Sequence, residues 1–394
     1  METKAGDPGA FAHFDLNRVS SPAFVVDEVA VRRNLSVLKD VRDRGNAKVL
    51  LALKAFSMWS MADVVAEYLD GVCASGLWEA RLARQFYKGE LTTYSPAYRA
   101  DDLPEILKIS DHVIFNSPQQ VQRFADLIAK ARAEGEVFEV GLRLNPEHSE
   151  GEVAKYDPAQ PCSRLGYPVS QLTPELMQGI DGIHIHALCE QDFKPLSRIW
   201  AAVEPKLAPL LTKVTWINFG GGHHVTRADY QTEELVAFLN TVQTTYGVKA
   251  YIEPGEAAAL DAGILVGEIL ETFDNGMPIG ITDISATCHM PDVIEAPYRP
   301  AMLGEVEADA EGAVTMRLGG PSCLAGDIIG DYTFAEHPQI GTRIAYLDQA
   351  HYSMVKTNTF NGVPLPSIYL WNSASDDLKL IKSFEWTEFR DRLS

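Results

Sequence analysis

Cysteine is scarce in this chain: five in 394 residues, at Cys73, Cys162, Cys189, Cys288 and Cys323. The number is odd and no two form a CxxC pair, so neither a disulfide framework nor a metal centre is expected. Long apolar runs are also missing; none approaches the roughly 20 residues that cross a membrane. Positive charge is in deficit, with 34 Lys and Arg against 54 Asp and Glu, a formal charge of −20. Such a field repels nucleic acid and anionic membranes and attracts cationic small molecules. Solubility alone also explains an acidic surface. Residues 1–8 lack the apolar core of a signal peptide, and the expectation is a cytoplasmic protein.

What is present is an ordinary globular composition, 46% hydrophobic and 22% charged, in a chain long enough for two domains. Residues 22–27 read as a strand and 28–44 as a helix. From Lys48 a regular alternation begins. Eight β-prone runs (48–54, 71–75, 91–95, 112–116, 139–145, 182–188, 214–219 and 250–253) are separated by stretches that include helical periodicity at 119–134 and 171–179. Strands alternating with helices imply parallel pairing, and eight such units predict an α/β fold, a (β/α)8 barrel. A doubly wound open sheet is the alternative. After about residue 264 the texture changes to short runs at 279–285, 302–307, 314–318, 342–348 and 367–371, punctuated by Gly and Pro. They predict a mainly antiparallel β domain. The expected division is a barrel over 22–264 and a β domain over 265–394, joined by residues 1–21.

A barrel of this kind carries its chemistry at the C-terminal strand ends. Read there, the chain offers Lys54, Ser75, Ser95, Asn116, Arg143 with Asn145, His186, the glycine triplet Gly220, Gly221 and Gly222, and Glu253. A lysine at a sheet end can become a nucleophile if burial lowers its pKa, though many such lysines only solvate a strand. The glycines permit close approach of an anion to backbone amides, or serve only as a turn. His184 and His186 could be a metal pair, but no third ligand accompanies them. An amine, an anion cradle and a carboxylate together suggest pyridoxal phosphate. Lys54 would form the imine, Glu253 would keep the ring nitrogen protonated, and His186 would stack on the ring.

Seven segments then occur in order: Ala52-Leu53-Lys54-Ala55, Val72-Cys73-Ala74-Ser75, His186, Gly220-Gly221-Gly222, Glu253-Pro254-Gly255, Gly320-Pro321-Ser322-Cys323 with Gly326-Asp327, and Tyr352 followed by Phe360-Asn361-Gly362. This pattern resembles the fold-type III pyridoxal-phosphate decarboxylases, which include ornithine and diaminopimelate decarboxylases. Leu53-Lys54-Ala55-Phe56-Ser57, Gly222-His223-His224-Val225-Thr226, the stretch from Ala286 to Val293 and Asp348-Gln349-Ala350-His351-Tyr352 are similar to the subgroup that decarboxylates carboxynorspermidine and carboxyspermidine.

The resemblance implies a barrel of the alanine-racemase type plus a β domain, a pyridoxal-phosphate cofactor, and release of norspermidine or spermidine with CO2. It implies Lys54 as Schiff-base lysine, His186 on the ring, Glu253 at the ring nitrogen, and the glycine triplet, Tyr352 and the rim residue Arg143 around the cofactor. Cys323 would return a proton across a dimer interface, in a homodimer with shared active sites. Glu256, Asp292 and Asp327 would meet a cationic substrate. Two departures stand out. Glu256 occupies the place of an arginine common in ornithine-type members, and Leu188-Cys189-Glu190 replaces small residues after the stacking histidine. The competing readings are a diaminopimelate or other basic amino-acid decarboxylase, an amino-acid racemase, and a non-enzymatic cofactor carrier.

Overall fold

The structure, a computed structural model, describes residues 3–4, 6–151 and 153–394. The chain divides into two compact units, residues 33–258, and residues up to 32 together with 259–394. Strand β1 (Ala23–Asp27) is buried along its whole length and belongs to the second of these. It therefore lies apart from the barrel span in which its sequence position put it.

Residues 33–258 hold β2 (Lys48–Ala52), β3 (Gly71–Ala74), β4 (Glu90–Tyr94), β5 (His112–Phe115), β6 (Glu139–Asn145), β7 (Gly182–His184), β8 (Trp216–Asn218) and β9 (Lys249–Ile252). Each pairs in parallel with the next. β9 then pairs back onto β2, Tyr251 opposite Lys48 and Ile252 opposite Val49. The sheet has no free edge, which confirms the (β/α)8 barrel and excludes the open sheet. Its interior is filled by Leu50, Ile114, Trp216 and Tyr251. Two glycines make room for the indole: a Cβ on Gly182 would lie 1.9 Å from Trp216 Cε2, and one on Gly141 2.5 Å from its Cη2.

Helix boundaries differ from expectation in two places. The 119–134 periodicity becomes two helices, Pro118–Arg123 and Ala125–Ala133, because Phe124 leaves helical geometry (φ −102°, ψ 11°). Phe124 is packed with Phe115 and Ile128 in a buried cluster. At the start, the Ser117 side chain accepts from Gln120 N and Pro118 takes the first turn. Residues 171–179 form no α-helix. Two short 3-10 turns, Val169–Gln171 and Pro174–Met177, stand there, because Pro174 follows Thr173 in extended geometry.

The second unit is a mixed sheet. To β1 it adds β10 (Gly263–Asp274), β11 (Pro278–Thr282), β12 (Val314–Gly319), β13 (Ile328–Phe334), β14 (Arg343–Tyr346), β15 (Ser367–Asn372) and β16 (Asp377–Lys382). The order is β13-β12-β11-β10-β1-β15-β16, with β14 also on β10. Pairing is mainly antiparallel, with parallel exceptions at β11–β12 and β1–β15. β1 is apolar from Ala23 to Val26 because both of its faces are covered. Phe24 enters a cluster with Leu265, Ile269, Tyr332 and Tyr346, and Ala23 and Val25 enter one with Ile264 and Trp371. Phe11 and Phe14 pack on Trp371 at centroid distances of 5.2 and 4.9 Å, which ties residues 9–14 into this unit. The 302–307 run is no strand; it meets β14 by a bridge from Met302 to Tyr346 and a hydrogen bond from Leu303 N to Ala345 O, and β13 by one from Val306 N to Thr333 O. β10, β13 and β16 have no counterpart among the runs read from the sequence.

Candidate active site

β2 ends at Ala52, and the chain turns at once: Ala55 N and Phe56 N both donate to Ala52 O, at 3.1 and 3.3 Å. From Val49 to Phe56 every residue is buried except Lys54. The buried Leu53 and Phe56 therefore fix where the lysine projects, at the barrel rim. Its Nζ lies 3.3 Å from His186 Nε2. Gly221 N–H donates to His186 Nδ1 at 2.9 Å, and the same nitrogen lies 3.1 Å from the Gly221 carbonyl. Assigned from the shorter contact, the imidazole proton sits on Nε2 and faces the lysine. A neutral amine accepts that proton; an ammonium group cannot. The electrostatics agree. Desolvation of the amine among the rim residues first, and the Arg143 guanidinium second, lower the basicity of Lys54, although the residue as a whole is exposed. Burial, then Lys54 and Arg143, hold His186 well below the usual imidazole range.

The carboxylate is equally fixed. Glu253 follows β9 and is 7% exposed. Asn218 Nδ2 donates to its Oε1 at 2.7 Å, and His184 Nε2 lies 3.1 Å from its Oε2. Burial pushes the Glu253 pKa up, but His184, Asn218 and Lys54 outweigh it, so the group stays ionised below the ordinary carboxylate range. The His184 ring stacks on Tyr94 at 5.7 Å, and the Arg143 guanidinium lies 4.6 Å from the centroid of the same tyrosine. Arg143 also donates from Nη2 to His186 O at 3.0 Å. Tyr94 OH donates to Asn116 Oδ1 at 2.7 Å, and Asn116 in turn holds Gly166 N and Arg164 O. The rim residues thus form one connected ring, and the 164–166 loop is tied to it.

The glycine triplet is a structural necessity here. Gly220 and Gly222 have φ of +67° and +84°. A Cβ on Gly220 would meet His186 Cβ at 2.5 Å, on Gly221 the Glu253 carbonyl at 2.5 Å, and on Gly222 the Leu188 carbonyl at 2.1 Å. Gly220 N donates to Asn218 Oδ1 at 2.8 Å and Glu253 N to Gly220 O at 2.7 Å. Glu256 opens the short helix Glu256–Ala259 and pairs with the buried His224 at 3.3 Å. The carboxylate that replaces the family arginine is therefore matched by an imidazole from the residues just after the triplet.

The remaining candidates lie in the second unit. Cys323 is exposed, and its N–H donates to Asn361 Oδ1 at 2.8 Å. Asp327 is buried and accepts from Ser285 Oγ, Thr287 N and Ser322 N at 2.8, 3.2 and 3.3 Å. Its carboxylate clasps three chain segments. Asp292 is partnered within the unit by Lys356 Nζ at 2.6 Å, and the same ammonium reaches Glu295 at 2.6 Å. Tyr352 precedes the helix Ser353–Lys356 with φ +34°, a strained value for a bulky residue.

Three residues of the ring were not assigned in advance: His184, Asn218 and Tyr94. A signal existed. His184 and Asn218 each precede a rim residue by two positions, and a strand repeats its faces every two residues. Among the described residues, no group of three or more His, Cys, Asp or Glu is placed to hold a metal ion. His184 and His186 have separate partners, the Glu253 carboxylate and the Lys54 amine.

No protein-family model matches the chain. A carboxynorspermidine/carboxyspermidine decarboxylase of Campylobacter jejuni is 36% identical over 382 residues, covering 94% of this chain and 98% of that protein. A carboxyaminopropylagmatine decarboxylase of Synechocystis is also 36% identical, over 96% of each chain. The crystal structure of Campylobacter jejuni carboxynorspermidine decarboxylase complexed with norspermidine superposes with a TM-score of 0.85 at 36% identity, covering 95% of this chain and 100% of that one. A diaminopimelate decarboxylase of Helicobacter pylori shares the fold with a TM-score of 0.80 at 16% identity, covering 96% and 98%. With near-complete coverage at this identity, the chain belongs to the carboxynorspermidine/carboxyspermidine decarboxylase family of carboxy-lyases, within the fold-type III decarboxylases.

Proposed function

We propose that this protein removes CO2 from a carboxylated polyamine, carboxynorspermidine or carboxyspermidine, in polyamine biosynthesis, with pyridoxal phosphate as its cofactor. The observation that carries the reading is the ring in which a lysine of lowered basicity, projecting from a buried stretch, and a buried, ionised glutamate are each held by a dedicated histidine.

The residues fit the cofactor. The lowered basicity of Lys54 favours the neutral amine, which can attack an aldehyde carbon, whereas an ammonium has no free pair. The triplet turns with backbone and no side chains at the rim, which lets an anion approach it, although Gly220 N and Gly221 N already donate to Asn218 and His186. Glu253 is an anion in a low-dielectric site, suited to a protonated ring nitrogen. Buried Arg143 has a further donor, Nε, without a hydrogen-bond partner among the described residues. Bound there, pyridoxal phosphate supplies an electron sink for the electron pair left when the α-carboxylate departs as CO2.

The chain's own residues do the rest. Lys54 would carry the cofactor and exchange with the substrate amine. His186 would hold Lys54 Nζ and lie against the ring. Glu253 would fix the ring nitrogen, and the triplet with Tyr352 would take the phosphate. Cys323, exposed on a turn pinned by Asn361, would return the proton to the α-carbon. We assign that step to a homodimer in which Cys323 serves the partner's site. Asp292, with Glu256 nearer the triplet, would counter the cationic chain of the substrate, and the −20 charge favours such a ligand over nucleic acid. Among the described residues no helix is long and apolar enough to cross a membrane, and we place the enzyme in the cytoplasm.

A second substrate is favoured by one comparison. The Synechocystis relative is named for carboxyaminopropylagmatine and is as similar in identity as the Campylobacter one. The test is CO2 release by the cofactor-loaded protein from carboxynorspermidine, carboxyspermidine, carboxyaminopropylagmatine, diaminopimelate and ornithine. Release confined to the carboxylated polyamines is expected, and the rate ratio names the preferred one. Release only from diaminopimelate or ornithine would overturn the substrate, and none from any would overturn the activity.

A further inference from the structure

His184 is not among the groups that the reaction itself requires, yet it is 2% exposed at the centre of the ring. Its Nδ1 has no hydrogen-bond partner among the described residues, whereas Nε2 lies 3.1 Å from Glu253 Oε2. The proton of the neutral ring therefore belongs on Nε2, where it finds an acceptor. The ring is clamped by its stack on Tyr94, which Asn116 and Arg143 hold in turn. Asn218 donates to the other oxygen of the same carboxylate. Glu253 thus receives a neutral amide on one oxygen and a neutral imidazole on the other, with the Cys73 thiol a further neutral donor to the same carboxylate.

We propose that His184 is a positioning residue, which keeps Glu253 ionised and oriented by an uncharged hydrogen bond and so leaves its full negative charge for the cofactor's ring nitrogen. The inference rests on the reading of Glu253 as that nitrogen's partner. The choice of residue follows from the chemistry. A lysine or arginine at 184 would also satisfy Glu253 but would cancel its charge. A leucine would leave one oxygen of a buried carboxylate bare, and the group would take up a proton instead. Burial keeps His184 itself neutral, against the opposing pull of Glu253. The other charged groups near it are Arg143 and Lys54, both of which act in the same direction as burial.

The test compares His184→Leu with His184→Gln, whose amide can still donate, by infrared spectroscopy of the apoprotein at pH 7 and by pyridoxal-phosphate affinity. The wild type should show no band from a protonated Glu253. His184→Leu should show one that disappears in the double variant with Glu253→Gln, and should bind the cofactor at least tenfold more weakly. His184→Gln should restore the wild-type spectrum and most of the affinity. If His184→Leu does not fold, His184→Asn takes its place, being too short to reach Oε2, with the same expectation. A folded Leu or Asn variant without the band and with wild-type affinity would overturn the proposal. A wild-type protein that binds no pyridoxal phosphate would instead overturn the reading on which it rests, and the infrared comparison would still judge His184.

Discussion

The two units of this chain handle polar residues in different ways. In the barrel, Lys54, His186, Glu253, His184, Asn218, Arg143 and Tyr94 stand at or beside strand ends and hold one another in a single network. In the β unit, Cys323, Asp327, Asp292 and Tyr352 stand on turns and four-residue helices. Their contacts are local clasps: Asp327 on Ser285, Asn361 on the Cys323 backbone, Lys356 between Asp292 and Glu295. The barrel gains precision from a closed sheet, in which a shift of one strand would disturb its neighbours. The turns of the β unit gain it only where a buried side chain binds several backbone groups. Loops placed in that way suit contacts that must vary among relatives with different substrates.

Variants can sharpen this contrast. The largest effect belongs to the barrel rim. Lys54→Ala should lower kcat by about 10⁴-fold or more while circular dichroism and Tm stay at wild-type values, because Lys54 projects from an otherwise buried stretch. Retained turnover would break the assignment.

Acid should act on both units alike. Burial lowers the pKa of His223 in the barrel and of His289 in the β unit to about 4. Each stays neutral in the fold and takes up a proton near pH 6.5 when unfolded. Stability is therefore complete above pH 6.5 and is lost as pH falls towards 4, by about 3 kcal/mol for each histidine. Urea unfolding at pH 7, 5.5 and 4.5 reads the slope. His289→Asn should remove only the share of the β unit, and an unchanged slope would contradict its neutral burial.

Within the β unit two neighbours should separate. Cys323→Ala should slow turnover by about 10²-fold with stability within about 0.5 kcal/mol of wild type. Asp327→Ala should do the reverse first. It strands Ser285 and two backbone amides and should cost about 2 kcal/mol in urea unfolding. Its loss of activity should shrink at lower temperature. Equal behaviour of the two variants would remove the distinction between a reacting side chain and a clasp.

The same contrast decides what was legible in the sequence. The eight barrel strands and most of the rim could be read because period and strand ends are local signals. Lys54 itself came one step short: the strand stops at Ala52, and the burial of Leu53 and Phe56, not the strand, aims the amine. His184, Asn218 and Tyr94 escaped because their partners lie on other strands. The clasp at Asp327 escaped for the same reason, since its donors at Ser285 and Thr287 are about 40 residues away in sequence. β1 was placed with the wrong unit because pairing with β10 and β15, far along the chain, leaves no local trace.

The most direct test of the account is to load the protein with pyridoxal phosphate, reduce it with borohydride and map the labelled peptide by mass spectrometry. The account predicts a single adduct on Lys54, absent from Lys54→Ala. An adduct on another lysine, or none in the wild type, would contradict it.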